Sequence, residues 1–441
     1  DTGSLRDKMT TSTLCVVASL KAKSFFTKEK LSNLTVYGIG QVVNILTPLL
    51  ITPYLIYTCG LENLGVIAMG QAFAYILIVV VDYSSYIIGV KEVSINREEH
   101  NVLQGIFTTT YISKIILLSL VILLTFLLTF FIPYFNKNLI VFYFSLTIII
   151  AQAINPTWFL QGVENFLGIT ILNIFSKAIN VIGVIFFITT KEDYIYANLC
   201  IGIGGILANL MGFLWIVKKY KFSFKSSSLI SVINLLKNDF LFCVSQLFFS
   251  IRNYSSVIII GFFAGNYVAG QFKVIEQIIN LFRTYLQMFF KFSYGYVCFE
   301  IDKSLKNGIQ IWKKFNAFNT ILLLFLLSLV YLFSDLVLHF FKVEKKMIPE
   351  FVNYLNIALL IPFLIGITLP LEQLLFSLNK NKPYIKLTII TALFNVVGLS
   401  IIMTFFGLKE AFFLLIITEL SLIFIYLLIL KPYFSPSYSK Q

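Results

Sequence analysis

A chain of 441 residues with 58% hydrophobic and only 12% charged residues lacks the charge to cover a water-facing surface, because soluble domains carry about 25% charged residues. A net charge of +13 beside a mean hydropathy of +0.87 instead points to a surface facing lipid, with surplus Lys and Arg in the flanking loops. Those basic residues are spread over many short loops, which argues against a nucleic-acid partner.

Residues 1–30 form a polar, basic segment whose apolar patch, Leu14 to Leu20, is too short to span a bilayer and lacks a signal-peptide cleavage site. The segment opens with Asp1 rather than Met, so part of it is expected to be non-native, and the fold is read from residue 31 onward. Twelve apolar stretches then follow, near 32–58, 64–90, 111–133, 139–160, 166–189, 195–217, 239–263, 268–297, 316–341, 352–378, 384–406 and 410–430. Each reaches the roughly 20 residues a membrane helix needs. A membrane β-barrel would show short alternating segments instead, so the fold class is all-α, with about 12 transmembrane helices.

The loops fix an expected orientation. With both termini on one side, that side receives 21 of the 34 Lys and Arg, including Lys218, Lys219, Lys221, Lys225 and Lys237, and the other side only six. The positive-inside rule places the rich side, and both termini, in the cytoplasm. The five cysteines show no short CxxC spacing, so packing is their expected role and no metal or disulfide framework is predicted.

Six spans, a basic segment at 218–238 and six more spans indicate duplication. Gln41, Gly60 and Gly65 recur as Gln246, Gly265 and Gly270, each at an offset of 205 residues. The expected organisation is an N-lobe over 31–217, an inter-lobe loop over 218–238, a C-lobe over 239–431 and a tail over 432–441. The two six-helix lobes would be pseudo-symmetric and face a central cavity.

Polar groups inside spans normally face a bundle interior or water. In the eighth span Lys273, Glu276, Asn280, Arg283, Gln287, Lys291 and Tyr294 recur every three or four residues, an arc of roughly 80° on a helix. The seventh span adds Gln246, Arg252 and Asn253, and the first adds Tyr37, Gln41 and Asn44. Three cations against one acid on the eighth span suit an anionic substrate such as a diphosphate head group. Asp82 and Glu276 are candidate ion-coupling residues, with Glu372 and Glu419 as weaker candidates.

The stretches Gly60-Leu61-Glu62-Asn63-Leu64-Gly65, Val81-Asp82-Tyr83 and Asn155-Pro156-Thr157-Trp158-Phe159-Leu160-Gln161-Gly162-Val163-Glu164 resemble the Wzx-type O-antigen flippase branch of the multidrug/oligosaccharidyl-lipid/polysaccharide exporter superfamily. Ser84 departs from the pattern, in which Gly often follows the Asp-Tyr pair. The resemblance implies a bacterial inner-membrane flippase for an undecaprenyl-diphosphate-linked oligosaccharide, working by alternating access with H+ or Na+ as coupling ion. It further implies membrane lipids, a polysaccharide polymerase and a chain-length regulator as partners, and no cofactor. A drug exporter for cations fits the cationic stripe poorly. A membrane polymerase or glycosyltransferase would want a large external loop with catalytic acids, and the two histidines, His100 and His339, form no evident acid–base pair. No P-loop is present, and an enzymatic role is not expected.

Overall fold

The computed structural model describes residues 28–223, 229–378 and 380–434; the side chains of residues 28–37 and Asn381 are outside the description. Most of the N-terminal segment, Lys225, the end of the tail and the Tyr37 side chain therefore lie outside it.

All regular elements among the described residues are helical. The main helices are α1 (Lys28–Asp82), α2 (Val90–Ile95), α3 (His100–Phe131), α4 (Pro133–Lys137), α5 (Leu139–Ile154), α6 (Thr157–Gly162), α7 (Phe166–Phe187) and α8 (Tyr196–Tyr220). They continue as α9 (Leu229–Ala264), α10 (Asn266–Lys303), α11 (Leu305–Leu332), α12 (Ser334–Phe340), α13 (Ile348–Ala358), α14 (Leu360–Ser377), α15 (Asn381–Phe405) and α16 (Leu408–Phe434). Ten helices among the described residues are long and apolar enough to cross a membrane. Helix α1 holds the first two expected spans, and α10 has the length but carries too many polar residues to count among the ten. Each of the twelve expected spans is thus helical, as a backbone in lipid must be to satisfy its own hydrogen bonds.

The duplicated glycines have structural counterparts. Gly60 kinks α1 at φ 80°, ψ 170°, and Gly265 separates α9 from α10 at φ 92°, conformations that residues with a Cβ rarely adopt. Where a loop was expected after Gly60, the chain makes only this kink. Gly65 and Gly270 meet across these two bends. A Cβ on Gly65 would overlap the Asn266 carbonyl oxygen and press on the Gly270 nitrogen at 2.8 Å, and a Cβ on Gly270 would overlap the Leu61 carbonyl oxygen. Tyr134 on α4 closes the same corner by donating to Asn266 Oδ1. Burial, then the neighbouring Tyr194, holds the Tyr134 phenol pKa above its ordinary value, so it stays a donor.

The chain separates into two compact units. The first comprises Ser32–Val274 with Ala392–Phe405, and the second Ile275–Thr391 with the chain from Phe406. In the first, α8 packs along α5 and α7. Two apolar clusters hold it, one around Phe73, Phe142 and Ile149 and one around Phe107, Trp158 and Phe159. Polar side chains tie helices where lipid offers no hydrophobic drive: buried Asn198 donates to Ile67 O at 3.2 Å and Ser145 Oγ at 2.9 Å, and Asn209 to Ala151 O at 2.7 Å. In the second unit, α14 packs on α16 around Trp312, Leu374 and Tyr426. Cys59, Cys200, Cys243 and Cys298 are buried and unlinked.

Three further features differ from the expected spans. Helix α9 starts at Leu229 rather than near 239, because Val232 is buried and Leu236 O accepts a 2.6 Å bond from Tyr83. The span at 316–341 breaks at Phe333, and that at 352–378 divides at Leu359.

Candidate functional site

Two backbone irregularities in the first unit bring one polar cluster together. Helix α1 ends at Asp82 because Tyr83 takes the left-handed φ of 54°, and a π turn, Ser85–Gly89, follows. Helix α5 ends at Ile154 because Pro156 holds Asn155 extended (φ −58°, ψ 118°) and offers no N–H.

Lys114, from α3, donates to Asp82 Oδ1 at 2.9 Å; its side chain is 1% exposed and that of Asp82 14%. Gln152 Nε2 donates to Asp82 Oδ2 at 2.7 Å and to the Tyr86 hydroxyl at 3.0 Å. Asn155 Nδ2 donates to the same hydroxyl at 2.9 Å and to Gln152 Oε1 at 3.1 Å, while Asn155 Oδ1 accepts from Thr157 N at 2.9 Å. With two amide donors aimed at it, the Tyr86 hydroxyl is left to donate to Thr157 Oγ1, 2.8 Å away. Every amide hydrogen of Gln152 and Asn155 is thereby used, which fixes the carboxylate in one orientation. Ser84 Oγ donates to Asp239 Oδ2, tying the start of α9 to the same break. Chemically, this is a carboxylate whose charge is compensated by a tethered cation, so a proton or metal cation reaching Asp82 competes with Lys114.

Sequence reasoning found Asp82 and the Asn155 motif but missed Lys114 and Gln152. The available signal was a lone lysine within the strongly apolar third span.

The residues of the expected polar stripe and its companions fall on α10, α1 and α9. In the first unit Gln41 and Asn44 are half-buried on α1; Gln246, Arg252 and Asn253 are half-buried on α9, where Asn253 donates to Phe249 O of its own helix at 2.9 Å; Lys273 is half-buried on α10. In the second unit Glu276 is buried, Asn280, Arg283 and Gln287 are half-buried, and Lys291 is exposed. Arg283 Nη1 donates to Asn280 Oδ1 at 3.0 Å, one turn along the stripe. The two weaker acid candidates are buried against hydroxyls: Thr368 Oγ1 lies 2.9 Å from Glu419 Oε2, and Tyr426 donates to Glu372 Oε1 at 3.2 Å. The structure thus shows an ion-paired, fully hydrogen-bonded cluster at Asp82.

Solved transporters share this architecture. The multidrug transporter DinF-BH aligns with a TM-score of 0.63 at 14% identity, covering 91% of this chain and 94% of that one. A multidrug transporter in an inward-facing conformation gives 0.56 at 12%, covering 90% and 93%, and a transporter of the same superfamily from Pyrococcus furiosus gives 0.53 at 15%, covering 90% and 93%. The fold is that of these transporters, and the chain is a multi-pass membrane protein. Residues 31–294 match the family described as "Polysaccharide biosynthesis protein", and the chain belongs to it. Among its relatives, a protein of Escherichia coli (strain K12) named "Putative O-antigen transporter" is 24% identical over 282 residues, 64% of this chain and 68% of that protein. A Shigella dysenteriae protein of the same name is 23% identical over 238 residues, 53% and 59% of the two chains.

Proposed function

We propose that the protein is a flippase that carries an undecaprenyl-diphosphate-linked oligosaccharide from the cytoplasmic to the periplasmic leaflet of a bacterial inner membrane by ion-coupled alternating access. The observation that carries this reading is the stripe on α10. Lys273, Arg283 and Lys291 outnumber the one acid among them, Glu276, on a helix of membrane-spanning length. Burying that much charge beside lipid is costly unless the face meets water or a polar cargo, and a diphosphate head group supplies the complementary charge. Amide side chains beside the cations, such as Asn280 and Gln287, offer partners for sugar hydroxyls. Family membership and the names of the relatives support the same cargo. Both termini are assigned to the cytoplasm, and Asp82 and Glu276 to ion coupling. A polysaccharide polymerase and a chain-length regulator would act on the product.

The test is translocation of an undecaprenyl-diphosphate-linked oligosaccharide in proteoliposomes, beside surface polysaccharide display in cells. Lys273→Ala and Arg283→Ala are expected to cut both by at least about tenfold, the order of one lost charge-assisted contact, with protein still in the membrane. Normal transport by the double variant would sink the cationic-site reading.

A further inference from the structure

The first unit carries a cationic helix end that neither the ion pair nor the stripe uses. Helix α8 finishes near Lys218 and Lys219, Lys221 follows directly, and all three are exposed. No Asp or Glu occurs between Asp193 and Asp239, and among the described residues none of the three cations has an acid partner. Arg97 and Lys303 differ, pairing with Glu164 at 3.5 Å and Glu300 at 3.7 Å. A helix C-terminus presents about half a negative charge, so three cations there leave most of their charge uncompensated.

The local fold holds these cations in place. Lys221 takes a left-handed φ of 51°, and Phe222 N donates to Val217 O at 3.1 Å. That turn sends the buried Phe222 into the aromatic cluster, its ring centroid 5.0 Å from that of Phe107 and 5.7 Å from that of Phe159. Ser223 N donates to Gln104 Oε1 at 3.3 Å and pins the next residue. Lys219 Nζ lies 4.6 Å from the centre of the Trp215 ring, a cation–π contact.

An apolar track runs up to the same helix end. Leu207, Met211 and Leu214 are exposed and fall with Lys218 within an arc of about 60°, at 100° per residue. From Leu207 to Lys218 the helix rises about 16 Å, close to the depth of one leaflet of a hydrocarbon core about 30 Å thick. Trp215 borders the track one turn before the lysines, where an indole suits the membrane–water interface.

We infer that this end of α8 is a binding site for an anionic phospholipid. The head-group phosphate sits between Lys218 and Lys219, the glycerol lies level with Trp215, and one acyl chain follows Leu214, Met211 and Leu207. A zwitterionic head group brings a cation of its own toward the surplus positive charge, and a soluble polyanion leaves the apolar track unused. A lipid held here anchors the aromatic cluster of the first unit to one leaflet. The inference needs the membrane-spanning fold and not the flippase reading.

Trp215 is its own reporter: it is 43% exposed, whereas Trp158 and Trp312, the other two tryptophans, are 0% and 8% exposed. The purified full chain is reconstituted in phosphatidylcholine vesicles. Tryptophan quenching is then read against rising fractions of phosphatidylglycerol brominated on its acyl chains, and against brominated phosphatidylcholine. The wild type is expected to prefer the anionic lipid by at least about fivefold, the order of one lysine near an anionic surface. Lys218→Gln with Lys219→Gln removes that preference, and Lys218→Arg with Lys219→Arg retains it. Lys303→Gln with Lys306→Gln deletes two charges elsewhere and leaves it unchanged. Equal quenching by both lipids in the wild type overturns the inference, as does quenching that Trp215→Phe fails to reduce. A preference that survives the glutamine pair, or is lost in the arginine pair, overturns it as well. Equal loss in the Lys303–Lys306 variant overturns it in favour of a diffuse surface potential.

Discussion

Lys114 Nζ lies 2.9 Å from Asp82 Oδ1, and the lysine side chain is 1% exposed. Thirty-two residues of sequence separate the partners, and each sits on a different helix. A buried pair of this kind stabilises little as a pair, because desolvating both charges offsets their attraction. It becomes costly when only one partner is removed.

That asymmetry gives the first prediction. Lys114→Met or Asp82→Asn alone is expected to destabilise the purified protein by about 3–5 kcal/mol, since each leaves an uncompensated buried charge. The double variant, Lys114→Met with Asp82→Asn, should recover most of that loss. Thermal unfolding in detergent reads this directly, and additive losses in the double variant would show that the two groups do not compensate one another.

Backbone proximity at Gly65 and Gly270 gives the second. Gly65→Ala places a Cβ against the Asn266 carbonyl oxygen, and the neighbouring atoms are main chain that cannot rotate away. A loss of about 1–3 kcal/mol is expected from overpacking. Gly105 on α3 is the contrasting site, with nothing within 4 Å of a built Cβ. Gly105→Ala should be neutral or stabilising by up to about 1 kcal/mol, because alanine favours a helix. Equal unfolding temperatures for the two variants would count against the close approach of the two bends.

The third prediction concerns orientation. Lys346 and Lys303 are both exposed, at 79% and 57% of their side chains, and the basic-loop pattern assigns them to opposite sides. A membrane-impermeant maleimide added to intact spheroplasts should label Lys346→Cys and spare Lys303→Cys, with Lys303→Cys labelled only after permeabilisation. The reverse pattern would invert the topology. Cys59, Cys200, Cys243 and Cys298 are buried, so their background labelling is expected to be low.

These sites differ in how far the sequence alone reveals them. Span positions are legible because about 20 apolar residues in a row have few alternatives in a membrane. The glycine pairs are legible because they recur at a constant offset of 205 residues, and positive φ at both Gly60 and Gly265 gives that offset a backbone meaning. The break at Leu359 is hidden, since hydropathy runs through it unchanged, and that at Phe333 is marked only by the Ser334–Asp335 pair that follows it. The partner of Asp82 is hidden for a different reason: periodicity orders residues on one helix and says nothing of distance between helices.

The last prediction joins the ion pair to transport. Lys114 donates to Asp82 Oδ1 while Gln152 takes Oδ2, so both carboxylate oxygens are engaged in this conformation. On the proposed ion-coupled reading, a proton or sodium ion would have to displace Lys114 before it could neutralise Asp82. Removing the tethered cation with Lys114→Gln is expected to lower the driving-ion concentration for half-maximal flipping by about tenfold or more, because about 1.4 kcal/mol of competition corresponds to that factor. Asp82→Asn should abolish dependence on the ion gradient while leaving residual downhill exchange. The measurement is flipping in proteoliposomes with imposed proton or sodium gradients, each collapsed in turn by an ionophore. Flipping that continues unchanged after both gradients are collapsed excludes Asp82 as the coupling site and leaves its pair with Lys114 a structural clasp between α1 and α3.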